Sequence, residues 1–381
     1  MTLITTQNKL DELAERLSHE SFITVDTEFL REKTYYPQLC LLQLAGDGEA
    51  AMVDPLCDLD LSPIWALFEN PAIVKVFHAA RQDIEIFVNH TGKIPTPIFD
   101  TQIAAMVCGY GESVSYETLA VKLAGAEIDK SSRFTDWSLR PLSAAQLNYA
   151  LADVTHLRTI YRVLTAELEA SGRQSWQEQE LGVLTRLATY QIEPETAWMR
   201  LKPRSNSPKF LNVFKALAAW RESEAQRRNL PRGRLIKDDA ISEIASTLPR
   251  TIEALGRCRS VGVGVAQGRL GGEILAVVEA GLALPVVGNG GSKDLGRVKG
   301  ESKALVDLLK VLLKHQCEVH EVAIKLVASV ADLEELAEDD GADLELFKGW
   351  RREVFGESAL ALKHGKIALA IVDNAVKIVE I

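Results

Sequence analysis

Two carboxylates stand two residues apart in "SFITVDTEFLREKTYYPQLCLLQLA", residues 21–45: Asp26 and Glu28. The stretch alternates as a strand does, with Ile23, Val25 and Thr27 on one side and Thr24, Asp26 and Glu28 on the other. The two acids therefore lie about 7 Å apart along one face of a strand that reads as central. Like charges in a partly buried setting repel and resist desolvation. Two further acids sit in similar contexts: Asp83 in "VFHAARQDIEIF", near a helix start, and Asp153 in "YALADV", with Tyr149 four residues earlier on the same helical face. Each alone has an ordinary explanation, such as a helix-dipole partner for Asp83. Four such acids converging on one place would be untenable without cations. Hard divalent ions take oxygen ligands and are often shared with substrate phosphates. Two of them about 3.5–4 Å apart can activate a water and stabilise the leaving oxygen of a phosphodiester.

The elements that must position these acids follow from periodicity. Strand patterns cover 21–29, 38–45 and 50–54; "SPIWALFEN" reads as a short helix with Ser62 as N-cap and Pro63 at N1. A β-rich run at 72–78 leads into a helix at 79–90, and helices follow at about 100–108 and 115–124. "LSAAQLNYALADVTHLRTIYRVLTAELEA" is a long helix opened by a Ser143/Gln146 capping box, with an apolar stripe of Leu147, Ala150, Leu151, Val154, Leu157, Tyr161 and Leu164. Three successive strands and then an αβα run predict an α/β domain with a mixed sheet. "LKPRSNSPKF" at 201–210 reads as a linker, and beyond it no convincing strand is predicted. "VVGNGGSKDLG" at 286–296 is a second joint, and 238–256 resembles 321–338, as two copies of one helical unit would. "GVGVAQG" at 262–268 lacks the GxGxxG spacing and a preceding strand, which excludes a dinucleotide site.

The 381 residues suffice for two or three domains, and 47% apolar with 25% charged residues is an ordinary globular balance. The N-terminal stretch has no apolar core of a secretory signal, and the longest nearly apolar run, 274–288, is too short for a bilayer and contains Glu279. The five cysteines form no CxxC pair and read as reduced thiols of a cytoplasmic protein, without a zinc or disulfide framework. The net charge of −10 hides an asymmetry: residues 200–300 carry 18 Lys+Arg against 9 Asp+Glu, while the remainder carries 25 against 44. The basic segment suits a polyanion or is a solvated helical face.

In these elements the sequence resembles the DEDD exonuclease superfamily, Tyr subtype, and within it the ribonuclease D family. The residues that carry the resemblance are "VDTEF", "FHAARQD", "YALAD" and the longer "DWSLRPLSAAQLNYALADV" at 136–154. The C-terminal units resemble HRDC domains, the second more divergent than the first. The resemblance implies an α/β ribonuclease H-like exonuclease domain with a mixed sheet at 1–200, followed by two small all-α HRDC-like domains at 207–283 and 297–381. It further implies that Asp26, Glu28, Asp83 and Asp153 hold two divalent cations, Mg²⁺ or Mn²⁺. Tyr149 would position the attacking water, since a phenol of pKa about 10 is a poor base. The implied reaction is hydrolysis of the 3′-terminal phosphodiester of RNA, releasing 5′-mononucleotides from tRNA precursors and other small structured RNAs. A DNA 3′→5′ exonuclease of the same superfamily and a non-catalytic RNA-binding adaptor are the alternatives; the full set of five side chains speaks against the adaptor.

Candidate RNA contacts lie outside that set. Lys130 and Arg133, before "FTDW", are placed to reach backbone phosphates or belong to a solvated loop. Tyr35 and Tyr36, in the loop after the acidic strand, suit base stacking or packing on the sheet edge. Arg227, Arg228, Arg232 and Arg234 surround "NLPRGR", a candidate for sequence-independent phosphate contact. Asp136 and Arg140 are spaced for local pairing, Trp137 for packing on the body, Glu85 for the surface, and His78 for a structural role. With no coiled coil or association stripe, a monomer is the expectation.

Overall fold

A computed structural model of the chain describes residues 3–285 and 300–381, apart from the side chains of Lys130 and of 300–302. The glycine-rich joint at 286–296 and the boundary at 297 lie outside the described residues. The first part is a six-stranded mixed sheet of β1 (Leu3–Ile4), β2 (Phe22–Leu30), β3 (Gln38–Ala45), β4 (Ala50–Val53), β5 (Val74–Phe77) and β6 (Ile98–Asp100), in the order β1-β4-β3-β2-β5-β6. β3 runs antiparallel to β2 and β4, and the other pairings are parallel. β1 and β6, of two and three residues, are too short to show a period and were not expected from sequence.

Register determines where a cleft opens. β3 accompanies β2 as far as Leu30, whereas β5 pairs with it only over Phe22–Thr24. The remainder of β2, the half that bears Asp26 and Glu28, therefore has an edge that β5 leaves free. Ligand sites in open α/β sheets form at such breaks beyond strand ends.

One face of the sheet is sealed by α1 (Gln7–Leu17), α2 (Ser62–Glu69) and α3 (Arg81–Thr91). Their Leu10, Leu13, Leu17, Ile64, Phe68, Ile84 and Phe87 pack on Ile23 and Val25. α4 (Thr101–Val107) and α5 (Tyr116–Leu119) precede the 28-residue α6 (Ala144–Ser171), which crosses the other face. The Ser143/Gln146 capping box is formed, and Ala150, Val154, Leu157 and Leu164 are buried as their spacing requires. The Thr24 hydroxyl donates to the Val154 carbonyl at 2.8 Å, tying α6 to β2 one step from Asp26.

Asp136 and Arg140 do not pair. The segment between them is not helical, so their spacing does not bring them together. Asp136 accepts from Ser138, while Arg140 reaches Asp54, just past the end of β4, with two bonds of 2.6 and 2.7 Å and donates to the carbonyls of Cys40, Trp137 and Leu139. Trp137 is buried on the body, as expected.

After α7 (Gln174–Leu181), α8 (Pro208–Arg228) opens a helical unit with its own core of Phe210, Phe214, Leu217, Ile241, Ile244, Ile274 and Val278. A second unit is built on the helix Gly300–Val319, with Leu309, Leu312, Leu333, Trp350 and Phe355 at its centre. It is not all-α as expected: it ends on an antiparallel hairpin of β7 (Ile367–Val372) and β8 (Ala375–Glu380). The cause is the two-residue turn Asp373-Asn374, both residues at left-handed φ of 51° and 61°, a conformation these side chains tolerate and hairpins require. The unit docks on the exonuclease-like domain through Trp176 stacked on Trp350 at 4.4 Å and the Ala323 amide donating to the Met106 carbonyl at 3.0 Å. Gly109, at φ 79°, permits this approach: a Cβ there would stand 2.5 Å from the Glu321 carbonyl oxygen. Among the described residues no helix is long and apolar enough to cross a membrane.

Arg140→Ala strands the Asp54 carboxylate, whose side chain is only 4% exposed. The expected cost is about 3–5 kcal/mol, read as a lower urea midpoint at unchanged slope. A loss below about 1 kcal/mol would show that the pair is not a structural tie.

Candidate active site

The acidic face of β2 looks into a cleft of ≈ 860 Å³ lined by Asp26, Glu28, Asp83, Tyr149 and Asp153. Asp26, Glu28 and Asp153 each offer an oxygen, and the three lie within 4.8 Å of one another. The β2–β3 register shifts directly after Glu28, where Cys40 of β3 is passed over, an irregularity of the kind found beside sites. Asp153 comes from α6 and Tyr149 lies one turn earlier, at 6.2 Å between ring centroids from the buried Trp137.

Asp83, in the first turn of α3, stands outside that tight group but in the same cleft. It is 7% exposed and accepts a 2.5 Å bond from Thr27, on the opposite face of β2 from Asp26. What sets its position was missed in the sequence. The buried Asp100 takes the amides of Ala79 and Ala80 at 3.1 and 2.8 Å and those of Gln102 and Ile103 at the start of α4. It holds Ala79 at φ 58°, an unfavourable value for a non-glycine residue, and thereby the turn that leads into α3. The available signal was an Asp directly before a helical pattern, "FDTQ". His78 faces the cleft, its Nδ1 3.0 Å from the Thr101 hydroxyl.

The electrostatics carry the strain that the sequence implies. Burial, then repulsion from Asp26, Asp153 and Asp83, pushes Glu28 far above the carboxylate range, and Arg133 pulls it down. Burial raises Asp26, burial and Asp26 raise Asp153, and Asp83 is raised by the same two causes. The Tyr149 hydroxyl is driven well above its ordinary value by burial and then by Asp153, Glu28 and Asp26, so it remains a phenol. A buried set of oxygen donors carrying more negative charge than the surroundings balance fits hard divalent cations and not thiophilic ones.

The expected RNA contacts divide. Arg133 lines the cleft, and its charge reaches Glu28 and Asp153. The side chain of Lys130 lies outside the described residues. Arg227 is paired with Glu224, Arg228 with Glu224 and Glu273, and Arg232 with the buried Glu222 at 2.6 Å. These three are engaged inside the helical unit, whereas Arg234 is exposed. Tyr35 is not a free stacking surface either. Its hydroxyl donates to Glu222 and accepts from Arg232 at 3.0 Å, and the Arg232 guanidinium lies over its ring. The Asn229 side chain accepts from the amides of Tyr35 and Tyr36 at 3.1 and 3.0 Å, and Tyr36 stands edge-on to Tyr35. The loop after the acidic strand is thus latched to the first helical unit. Glu85, expected at the surface, clamps the near end of the same loop through Arg31 at 2.6 and 2.8 Å.

Comparison with known proteins agrees with this arrangement. The family described as 3′-5′ exonuclease matches residues 1–169, and the HRDC domain family matches residues 210–278. Fold, cleft and matches define the class, a 3′–5′ exonuclease domain joined to an HRDC domain. A relative from Gluconacetobacter diazotrophicus described as ribonuclease D is 50% identical over 376 residues, covering 98% of this chain and 96% of its own. One of the same description from Nitrobacter hamburgensis is 50% identical over 386 residues and is covered over 100% of both chains. The crystal structure of Escherichia coli RNase D, described as an exoribonuclease involved in structured RNA processing, is 31% identical with a TM-score of 0.79, covering 95% of this chain and 98% of that one. The chain belongs to the ribonuclease D family, 3′–5′ exoribonucleases of the DEDD superfamily.

Acids with raised folded-state pKa values contribute stability that is fully present below the ordinary carboxylate value of 3.8 and is lost as pH rises through the folded values. Metal-free protein is therefore expected to lose thermal stability from about pH 4 toward pH 8, and Mg²⁺ or Mn²⁺ to restore it, with proton release on binding. Melting curves across pH, with and without metal, check this; a flat profile indifferent to metal contradicts it. For the latch, a double-mutant cycle of Tyr35→Phe and Glu222→Gln is expected to give a coupling of about 1–3 kcal/mol in urea unfolding. Strict additivity would separate the loop from the helical unit.

Proposed function

We propose that this chain removes nucleotides one at a time from the 3′ end of RNA, with Asp26, Glu28, Asp83 and Asp153 as ligands of two divalent cations. The observation that carries the reading is the convergence of three carboxylate oxygens within 4.8 Å beside Tyr149, in a cleft large enough for a nucleotide. Bound there, the cations would supply charge stabilisation for the in-line displacement and a more acidic water. Both Mg²⁺ and Mn²⁺ suit an all-oxygen set.

The protein's own groups define the rest. Tyr149, kept as a phenol and bonded to Asp153, holds the attacking water by hydrogen bonding and does not remove its proton. The water oxygen forms a bond to the last internucleotide phosphorus while the bond from that phosphorus to the 3′ oxygen of the preceding nucleotide breaks; the water gives up one proton to solvent, and the departing 3′ oxygen takes one from it. A 5′-mononucleotide leaves, and the shortened chain keeps a 3′ hydroxyl. Arg133 meets the phosphate, where a cation offsets both the substrate's charge and that of Glu28. tRNA precursors and other small structured RNAs with short 3′ extensions are the substrates this reading names, acted on in the cytoplasm by a monomer. The description of the E. coli relative as acting in structured RNA processing supports that class.

Asp26→Asn is expected to cut nucleotide release by more than about 100-fold, the upper end of what loss of a mere outer partner of a metal site costs, while RNA binding persists. EDTA is expected to do the same to the unaltered protein. Time courses on matched RNA and DNA oligonucleotides with Mg²⁺ check both claims. Activity that survives EDTA, or preferential digestion of DNA, contradicts the reading; unaltered protein that binds RNA without shortening it points to the adaptor.

A further inference from the structure

Phe134 is 91% exposed, yet it belongs to the lining of the catalytic cleft. Scattered exposed apolar residues need no explanation, but this one differs in position, support and company. It also lines an adjoining pocket of ≈ 200 Å³ that lies against Leu30, Glu32 and Lys33, so the ring forms part of the wall between the two. The turn that presents it is tied down on both sides. Thr135 donates to the carbonyl of the buried Ser132 at 2.8 Å and accepts at 3.0 Å from Gln146, the residue that closes the capping box of α6. The backbone that carries Phe134 is thus held against α6, the helix that bears Tyr149 and Asp153. Its neighbour Arg133 lays its guanidinium over the ring at 5.2 Å. One dipeptide therefore offers a cation and an aromatic face side by side, at the rim of an otherwise acidic cleft. That is the pairing a nucleotide presents in reverse, an anionic phosphate next to a π face.

We propose that Phe134 is a base-stacking platform for the 3′ end of the RNA, taking the terminal or penultimate nucleobase while Arg133 meets the phosphate between them. The inference rests on the exoribonuclease reading and adds a binding subsite to it. Stacking on a π face is indifferent to base identity but requires a base that has left its own helical stack. The subsite therefore selects single-stranded 3′ ends over paired ones, whatever their sequence, and stops the enzyme where pairing begins.

The test uses RNA oligonucleotides carrying 2-aminopurine at the terminal or the penultimate position, bound to the full chain in the Asp26→Asn background so that no cleavage intervenes. Fluorescence of one of the two labels is expected to be quenched on binding, the quench to vanish with Phe134→Ala and to persist with Phe134→Tyr. In the hydrolytically competent chain, Phe134→Ala is expected to raise KM for single-stranded RNA on the order of ten-fold, within the worth of one base–aromatic stack, with kcat little changed. The side chain supports no core, so circular dichroism and melting temperature are expected to stay as they are. Equal quenching with Phe134→Ala at both positions, or an unchanged KM while nucleotides are still released, overturns the platform and leaves the exonuclease standing. Absence of nucleotide release by the unaltered chain overturns the underlying reading instead.

Discussion

Mutual repulsion among buried carboxylates is the constraint around which this molecule is arranged. Two unit charges 4 Å apart repel by roughly 4 kcal/mol at an effective dielectric constant of about 20. A domain's whole stability is about 5–15 kcal/mol, so several such pairs cannot be left unbalanced. Asp26, Glu28 and Asp153 nonetheless offer oxygens within 4.8 Å of each other, and the charge of Arg133 offsets both Glu28 and Asp153. The fold does not relax the cluster. The overhang of β2 beyond β5 and the Thr24–Val154 bond hold it in place. The Asp100 carboxylate does the same for the turn before Asp83. Rigid positioning of mutually repelling anions is useful only where positive charge arrives with the reaction.

The first helical unit takes part in that positioning. Its arginines spend much of their charge on Glu222, Glu224 and Glu273, and Glu222 with Asn229 grips the loop that follows Glu28. The same loop is pinned to α3 by Arg31 and Glu85. The HRDC domain is thus also a buttress for the acidic strand. The second unit is joined to the body on a different side, through α4, α7 and the stacked tryptophans.

Much of the site was legible because its signals are local. The alternation around Asp26 and Glu28, the capping box of α6 and the four-residue offset of Tyr149 from Asp153 depend on one element each. What sequence did not reveal depends on distance along the chain. Arg140 finds Asp54 86 residues away, not Asp136 four residues away. The arginines around "NLPRGR" look free in a charge count, yet Glu273 returns to Arg228 from 45 residues on. Tyr35 meets Glu222 across 187 positions. The C-terminal hairpin is a different case. Its Asp373-Asn374 turn was written locally between two apolar runs, but helical self-similarity in the preceding segment drew the reading toward helix. Phe134 was hidden for another reason, since no pattern distinguishes an aromatic residue held in solvent from one that packs.

The most direct measurement is anomalous diffraction from crystals soaked in Mn²⁺. Strong anomalous peaks are expected, one bounded by Asp26, Glu28 and Asp153 and a second on the Asp83 side of the cleft. Crystals that take up Mn²⁺ elsewhere but leave this cluster without a peak would contradict it.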